Sequence, residues 1–242
     1  MTGVKEEPSE GGEFLLSPVE ATQFRAVAAR FNYLAADCPN LQFATKEICR
    51  EMSAPTGKSH EKMKRLARYL VNVREVKLYY RWQDEIVDLC TCVDSDWAGC
   101  RKTRKSTSGG CMMVGTHLLR SWSSTQPAIA MSSAEAEYYA LVEGATRSLG
   151  LQSMMRELGL RRSVFLQTDS SAAKSFASQR GLGRMRHIEV KDLWLQEAIC
   201  RSRLQVVKIR GDENPADIFT KHLSRQILPR MSVELVRESG SE

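Results

Sequence analysis

Residues 85–97, EIVDLCTCVDSDW, alternate apolar or β-branched side chains with polar ones and stop at an aspartate pair, Asp94 and Asp96. Alternation of this kind reads as a strand, so the run ends with an acid at the rim of a sheet. VKLYYRW (76–82) before it, and STSGGCMMVG (106–115) and HLLRSWSS (117–124) after it, carry the same pattern. Gly109–Gly110 and Gly115 read there as turns or bulges. The period then changes: AEAEYYALVEGATRSLGLQSMMRELG (134–159) is a long amphipathic helix closed by Gly159. Beyond it, SVFLQTD and LQVVKIR read as strands, and SSAAKSFAS and IEVKDLWLQEAICR as helices. NPADIFTKHLS closes the series as a helix with Asn214 as N-cap and Pro215 in its first turn. Strands first, then helix and strand in alternation, predict a mixed sheet flanked by helices.

Upstream, SPVEATQFRAVAARFNYLAA begins with Ser17 as N-cap, Pro18 at the first turn and Glu20 three residues after the serine, which is a capping box. LQFATKEICREM and KSHEKMKRLARYLVNV add two further helices. The expected organisation is a disordered leader over 1–16, a small helical unit over 17–75, an α/β domain over 76–224 and a polar tail over 225–242.

Composition narrows the class. With 42% hydrophobic and 26% charged residues over 242 positions, the chain can bury a core and is not globally disordered. No apolar run reaches bilayer length, and MTGVKEEPSEGGE lacks the apolar centre of a signal peptide. The seven cysteines form no C-x-x-C pair, which favours free thiols in a reducing, intracellular compartment over a disulfide framework or a zinc site. A net charge of +6 leans toward a polyanionic partner rather than a membrane. Gly57-Lys58-Ser59 imitates the end of a P-loop, but Met52 stands where the motif needs glycine and no strand precedes it. The four histidines show no ligand spacing, and Trp97 and Trp122 read as core residues.

Four acids remain as site candidates: Asp94 and Asp169 at strand ends, Glu137 at the start of the long helix and Asp217 after a turn. Each also has a structural explanation. Asp94 could belong to a turn, Glu137 could offset a helix dipole, Asp169 could cap a helix and Asp217 could be an ordinary first-turn acid. Together, carboxylates from distant segments at the ends of regular elements form the kind of all-oxygen pocket that hard cations take. Asp96 and Glu135 read as supporting or surface acids. Arg101, Lys102, Arg104 and Lys105, with Arg184, Arg186, His187 and Lys191, are basic clusters suited to phosphates. Ser106, Thr107 and Ser108 could donate to phosphates or 2′-hydroxyls.

The strings VDSDWAGCRKTRKSTSGG, SWSSTQPAIAMSSAEAEYYAL, QTDSSAA, RHIEVKDLWLQEAI and NPADIFTKHL resemble the ribonuclease H region of copia-type retrotransposon Pol polyproteins. Residues 24–70 resemble the segment that links the reverse-transcriptase polymerase to that nuclease. The resemblance implies a ribonuclease H-like fold, a five-stranded mixed sheet with helices on both sides. It implies that Asp94, Glu137, Asp169 and Asp217 are catalytic and hold two Mg²⁺ ions, or Mn²⁺ in their place. The implied activity is hydrolysis of the RNA strand of RNA–DNA hybrids, with the polymerase part as a partner and the cytoplasm (a virus-like particle) or nucleus as the setting. Arg101, Lys102, Arg104, Lys105, Ser106, Ser108, Arg184, Arg186 and His187 would contact the hybrid. The alternative is a catalytically silent nucleic-acid-binding relic of the same fold, since the chain carries no Tyr-x-Asp-Asp motif of a polymerase and no protease or integrase signature. Two features depart from the family pattern. Ser170-Ser171 stand where Asn-Gln is usual, and the RGDEN loop lacks the histidine that assists product release in cellular ribonucleases H, which implies slow turnover.

Overall fold

The structure is a computed structural model and describes residues 14–73, 76–85, 88–183, 188–222 and 237–238. The chain divides into two compact units, one running to Val76 and the other from Lys77 to Arg237.

The first unit is helical. Helix α1 (Pro18–Ala35) opens on the capping box: Ser17 Oγ accepts from Glu20 N and the Glu20 carboxylate accepts from Ser17 N. Helices α2 (Gln42–Cys49) and α3 (Gly57–Asn72) follow, and Gly57-Lys58-Ser59 proves to be the first turn of α3, capped by Thr56. Phe24, Ala28, Phe31, Leu41, Ile48 and Leu66 close its core. Of the leader expected over 1–16, residues 1–13 lie outside the described residues. Leu15 pairs with Thr56 and Leu16 N donates to Pro55 O at 2.9 Å, so the ordered unit starts earlier than expected.

The second unit is built on five strands: β1 (Asp88–Asp96), β2 (Thr107–Val114), β3 (His117–Thr125), β4 (Ser163–Thr168) and β5 (Gln205–Lys208). Their order is β3-β2-β1-β4-β5, with β1 antiparallel to β2 and parallel to β4. This is the mixed sheet that the sequence predicted. Its helices are α4 (Ser133–Glu157), α5 (Ser171–Ser178) and α6 (Trp194–Cys200). Leu89, Val93, Leu141, Leu166, Phe176 and Leu195 are buried between sheet and helices; each is worth about 1.5–3 kcal/mol on leaving water. Among the described residues, no helix is long and apolar enough to cross a membrane. All seven cysteines are free thiols.

Three local expectations change. VKLYYRW forms strand only at Val76–Lys77. Beyond it the segment is fastened by side chains instead of a ladder: Tyr80 OH donates to Leu118 O at 3.0 Å, Gln83 Nε2 donates to Val114 O at 2.9 Å, and a ring nitrogen of His117 bonds Arg81 O at 2.7 Å. NPADIFTKHLS yields a short 3₁₀ helix, Pro215–Phe219, capped as expected by Asn214. The Thr220 hydroxyl then turns to Asp94, and this tertiary bond stops the helix. Residues 223–242, apart from Arg237–Glu238, lie outside the described residues, and with them almost all of the expected tail.

Gly109–Gly110 are not a turn but the middle of β2, opposite Asp94 and Val93. A Cβ on Gly109 would lie 2.6 Å from Phe219 Cβ and 2.7 Å from Thr220 Cγ2; one on Gly110 would lie 2.6 Å from Cys92 O. Glycine in a strand interior marks this kind of close approach. It lets the Pro215–Phe219 turn close onto the sheet, where Ser123 Oγ donates to Phe219 O at 2.6 Å and Asn214 Nδ2 to Val93 O at 3.0 Å. Gly109→Ala is therefore expected to cost about 1–3 kcal/mol, as overpacking does. Urea denaturation of the two proteins measures it, and equal midpoints would show that the contact is not tight.

Candidate active site

Asp94 is the seventh residue of β1 and lies at the end of the sheet where β4 also terminates. Asp169 follows the last residue of β4, so the parallel pairing of β1 and β4 brings the two acids to one rim. The third acid comes from α4. Its stripe of Leu141, Gly144, Ala145 and Ser148 faces the sheet, and Glu137 falls on that stripe. Gly144 rests on Val93, where a Cβ would come within 2.6 Å of Val93 Cγ1, and Ser148 Oγ meets Thr91 Oγ1 at 2.7 Å. With the helix seated in this way, the Glu137 carboxylate reaches Ser95 N at 3.3 Å.

Asp94, Glu137 and Asp169 each offer an oxygen within 4.8 Å of the others. Asp217 does not complete that set. It stands close enough to perturb Asp94, and its Oδ1 accepts from Lys221 Nζ at 3.0 Å. Lys221 Nζ also lies 3.3 Å from Asp94 Oδ2, the oxygen that accepts from the Thr220 hydroxyl.

The capping roles beside these acids are filled by neighbours, although Asp217 is itself the first-turn acid of its 3₁₀ helix. Ser132 caps α4, Ser170 caps α5 and Asn214 caps the 3₁₀ turn. Glu135 is buried and bonded to Met131 N and Tyr139 OH, and Asp96 accepts from Thr107 N. Both are thus engaged in hydrogen bonds to neighbouring segments.

Burial, and next the charge of Asp217, push the Asp94 carboxyl up to about 6, against the opposing pull of Lys221 and the Thr220 hydroxyl. Burial, and then Asp94 and Asp169, push Glu137 up to about 8. Buried like charges near one another resist ionisation. Glu137 Oε2 is buried without a hydrogen-bond partner among the described residues. An unpartnered buried carboxylate oxygen in an all-oxygen set fits a hard divalent cation.

The other expected contacts divide. Arg101, Lys102 and Arg104 are exposed on the turn joining β1 to β2, at the same rim, with Lys105 half-buried beside them. Ser106 and Ser108 lie inside the fold rather than on its surface. Both are buried, Ser106 Oγ accepting from Ala98 N and Ser108 Oγ from Gln126 Nε2, each at 2.9 Å. Arg184, Arg186 and His187 lie outside the described residues. Trp122 is core, but Trp97 is half-exposed at the rim, its indole donating to Ala130 O at 3.0 Å. Sequence reading missed Lys221, whose only signal was its place four residues after Asp217.

No protein-family model matches the chain. It is 30% identical over 216 residues to the retrovirus-related Pol polyprotein from transposon TNT 1-94 of Nicotiana tabacum, covering 88% of this chain and 16% of that protein. It is 28% identical over 210 residues to the Pol polyprotein from transposon RE1 of Arabidopsis thaliana, covering 85% and 14%. The homologues are thus copia-type Pol polyproteins of transposons, and the chain spans 14–16% of the length of these two. Among solved structures, LC11-RNase H1, isolated from compost, is similar over 56% of this chain and 94% of that one, with 16% identity and a TM-score of 0.40.

A raised carboxyl pKa stabilises the fold below the unfolded value and loses that contribution as pH rises through the folded one. For Glu137 the window runs from about 4.5 to about 8. Thermal melting of the metal-free chain should therefore fall across that window, and Glu137→Gln should flatten the slope. A profile identical in the two proteins would mean that Glu137 is not held in its protonated form.

Proposed function

We propose that this chain is a ribonuclease H-type hydrolase segment of a transposon Pol polyprotein that cuts the RNA strand of an RNA–DNA hybrid with divalent cations, Mg²⁺ or Mn²⁺. The observation that carries most weight is the meeting of Asp94, Glu137 and Asp169, from two strands and a helix, within 4.8 Å. Copying DNA from an RNA template leaves the two strands paired, so a chain related to transposon Pol polyproteins would meet that substrate beside its polymerase partner.

In this reading Asp94, Glu137 and Asp169 hold the cations through their oxygens, and Asp217 joins from the Lys221 side. Bound ions would supply activation of the attacking water and stabilisation of the leaving oxygen. The chain's own residues prepare the place. Thr220 aims Asp94 through its hydroxyl, and Ser95 N donates to one Glu137 oxygen, leaving Oε2 without a hydrogen-bond partner among the described residues. Ser170 relieves Asp169 of a capping role. Ligand carboxylates must be ionised to bind, so Glu137 releases its proton as a cation enters. The exposed basic turn of Arg101, Lys102 and Arg104, with Lys105, would grip phosphates beside the rim, and Arg184, Arg186 and His187 are proposed as further contacts to the hybrid.

Asp94→Asn should abolish cleavage of a labelled hybrid in Mg²⁺ while leaving circular dichroism unchanged. The loss should exceed the roughly 10–100-fold that removal of a supporting partner costs, and an active variant would overturn the assignment. A wild-type chain that binds the hybrid without cutting it would instead be the silent relic. For the basic turn, the double variant Lys102→Ala/Arg104→Ala should weaken hybrid binding and reduce its salt slope by about 0.7–0.9 for each phosphate that the turn no longer neutralises. An unchanged slope would remove the turn from the interface.

A further inference from the structure

We propose that Lys221 is a resident counter-ion of the acidic site, holding the space between Asp94 and Asp217 and competing there with a second divalent cation. This rests on the metal-dependent reading above and sharpens it: one side of the cluster is open to a cation, and the other is already occupied by an ammonium group.

The arrangement around Asp94 is lopsided. On one side, Lys221 Nζ stands 3.0 Å from Asp217 Oδ1 and 3.3 Å from Asp94 Oδ2, and the adjacent Thr220 hydroxyl donates to that same Asp94 oxygen. On the other side, neither Glu137 nor Asp169 has an ion-pair partner among the described residues, and Glu137 Oε2 has no partner of any kind. Asp94 is only 2% exposed, so the ammonium neutralises a carboxylate that water cannot reach. Lys221 itself is 42% exposed. Its four-carbon stem ends in a compact charge with rotatable donors, so the head can leave for solvent without moving the backbone.

Mg²⁺ takes oxygen ligands at about 2.0–2.1 Å. An ion shared by Asp94 Oδ2 and Asp217 Oδ1 would need the space that Nζ fills, so ion and ammonium exclude each other. A first cation can therefore settle on Asp94, Glu137 and Asp169 without displacing anything. A second must expel Lys221, and its apparent affinity falls accordingly. A nucleic-acid strand brings phosphates with which the displaced ammonium can pair, so substrate and second cation would enter together.

The test uses the full 242-residue chain, with Mn²⁺ binding followed by calorimetry and melting followed without metal. Wild type should show one strong site and a much weaker second one. Lys221→Met should tighten the second site about tenfold or more, as loss of a competing charge does, and lower the metal-free melting temperature by several degrees. Saturating Mn²⁺ should erase that difference, and Lys221→Arg, which keeps the charge, should match wild type on both readouts. Lys221→Gln carries the comparison if the methionine variant fails to fold. Unchanged Mn²⁺ titration and unchanged metal-free melting on loss of the charge would reduce Lys221 to a surface lysine and leave the hydrolase reading standing. No Mn²⁺ binding by wild type would remove that reading and this proposal with it.

Discussion

The contact between α4 and β1 is the constraint on which the site depends. Gly144 lies against Val93 with no room for a Cβ, and Ser148 bonds Thr91 at 2.7 Å. Glycine inside a helix is unfavourable by about 1 kcal/mol relative to alanine, and here it allows the helix to lie low on the strand. Only in that position does the Glu137 carboxylate meet Ser95 N and the acids at the ends of β1 and β4. The strand contributes a matching device. Gly109, paired with Asp94 on the neighbouring strand, gives Phe219 and Thr220 a surface to pack against. Two glycines far apart in sequence thus admit a helix and a turn to opposite flanks of one aspartate.

What these approaches bring together is unfavourable in itself. Asp94 and Glu137 are pushed up to about 6 and about 8, burial being the first cause in both and neighbouring carboxylates the next. Such a cluster does not stabilise a fold, and sites where structure works against stability are commonly those that bind or react. The chain relieves the tension locally. Lys221 and the Thr220 hydroxyl compensate Asp94, whereas Glu137 keeps one oxygen unpartnered. That uneven relief leaves Asp94, Glu137 and Asp169 as a set that could hold a metal ion, with one side not closed by an ion pair among the described residues.

Local patterns translated well wherever a few neighbouring residues settle the outcome. The capping box at Ser17, the caps at Asn214 and Gly159 and the alternation around Asp94 need only the i, i+2 or i+3 relations of the chain itself. Misreadings arose where a distant segment decided. Gly109–Gly110 suggested a turn because glycine's need for space and its tolerance of turns look alike in one dimension. Ser106 and Ser108 resembled surface residues, but the fold buries both, their hydroxyl oxygens accepting from Ala98 N and Gln126 Nε2. Leu78, Tyr80 and Trp82 alternate as in a strand, yet side-chain bonds to the β2–β3 hairpin take the place of a ladder there.

By itself the sequence determined the alternation of strands and helices that makes a mixed sheet, the long helix and four acids worth following, because periodicity and end signals are written in consecutive residues. The count of five strands was implied by the family resemblance. Tertiary structure alone decided which acids meet. Asp94, Glu137 and Asp169 converge because parallel pairing aligns two strand ends and a glycine lets a helix lie close to them. Asp217 is turned toward a lysine that no spacing rule had singled out. The reason is physical: separations of a few ångströms between residues more than thirty positions apart depend on packing, and packing is a property of the assembled core, not of any one segment.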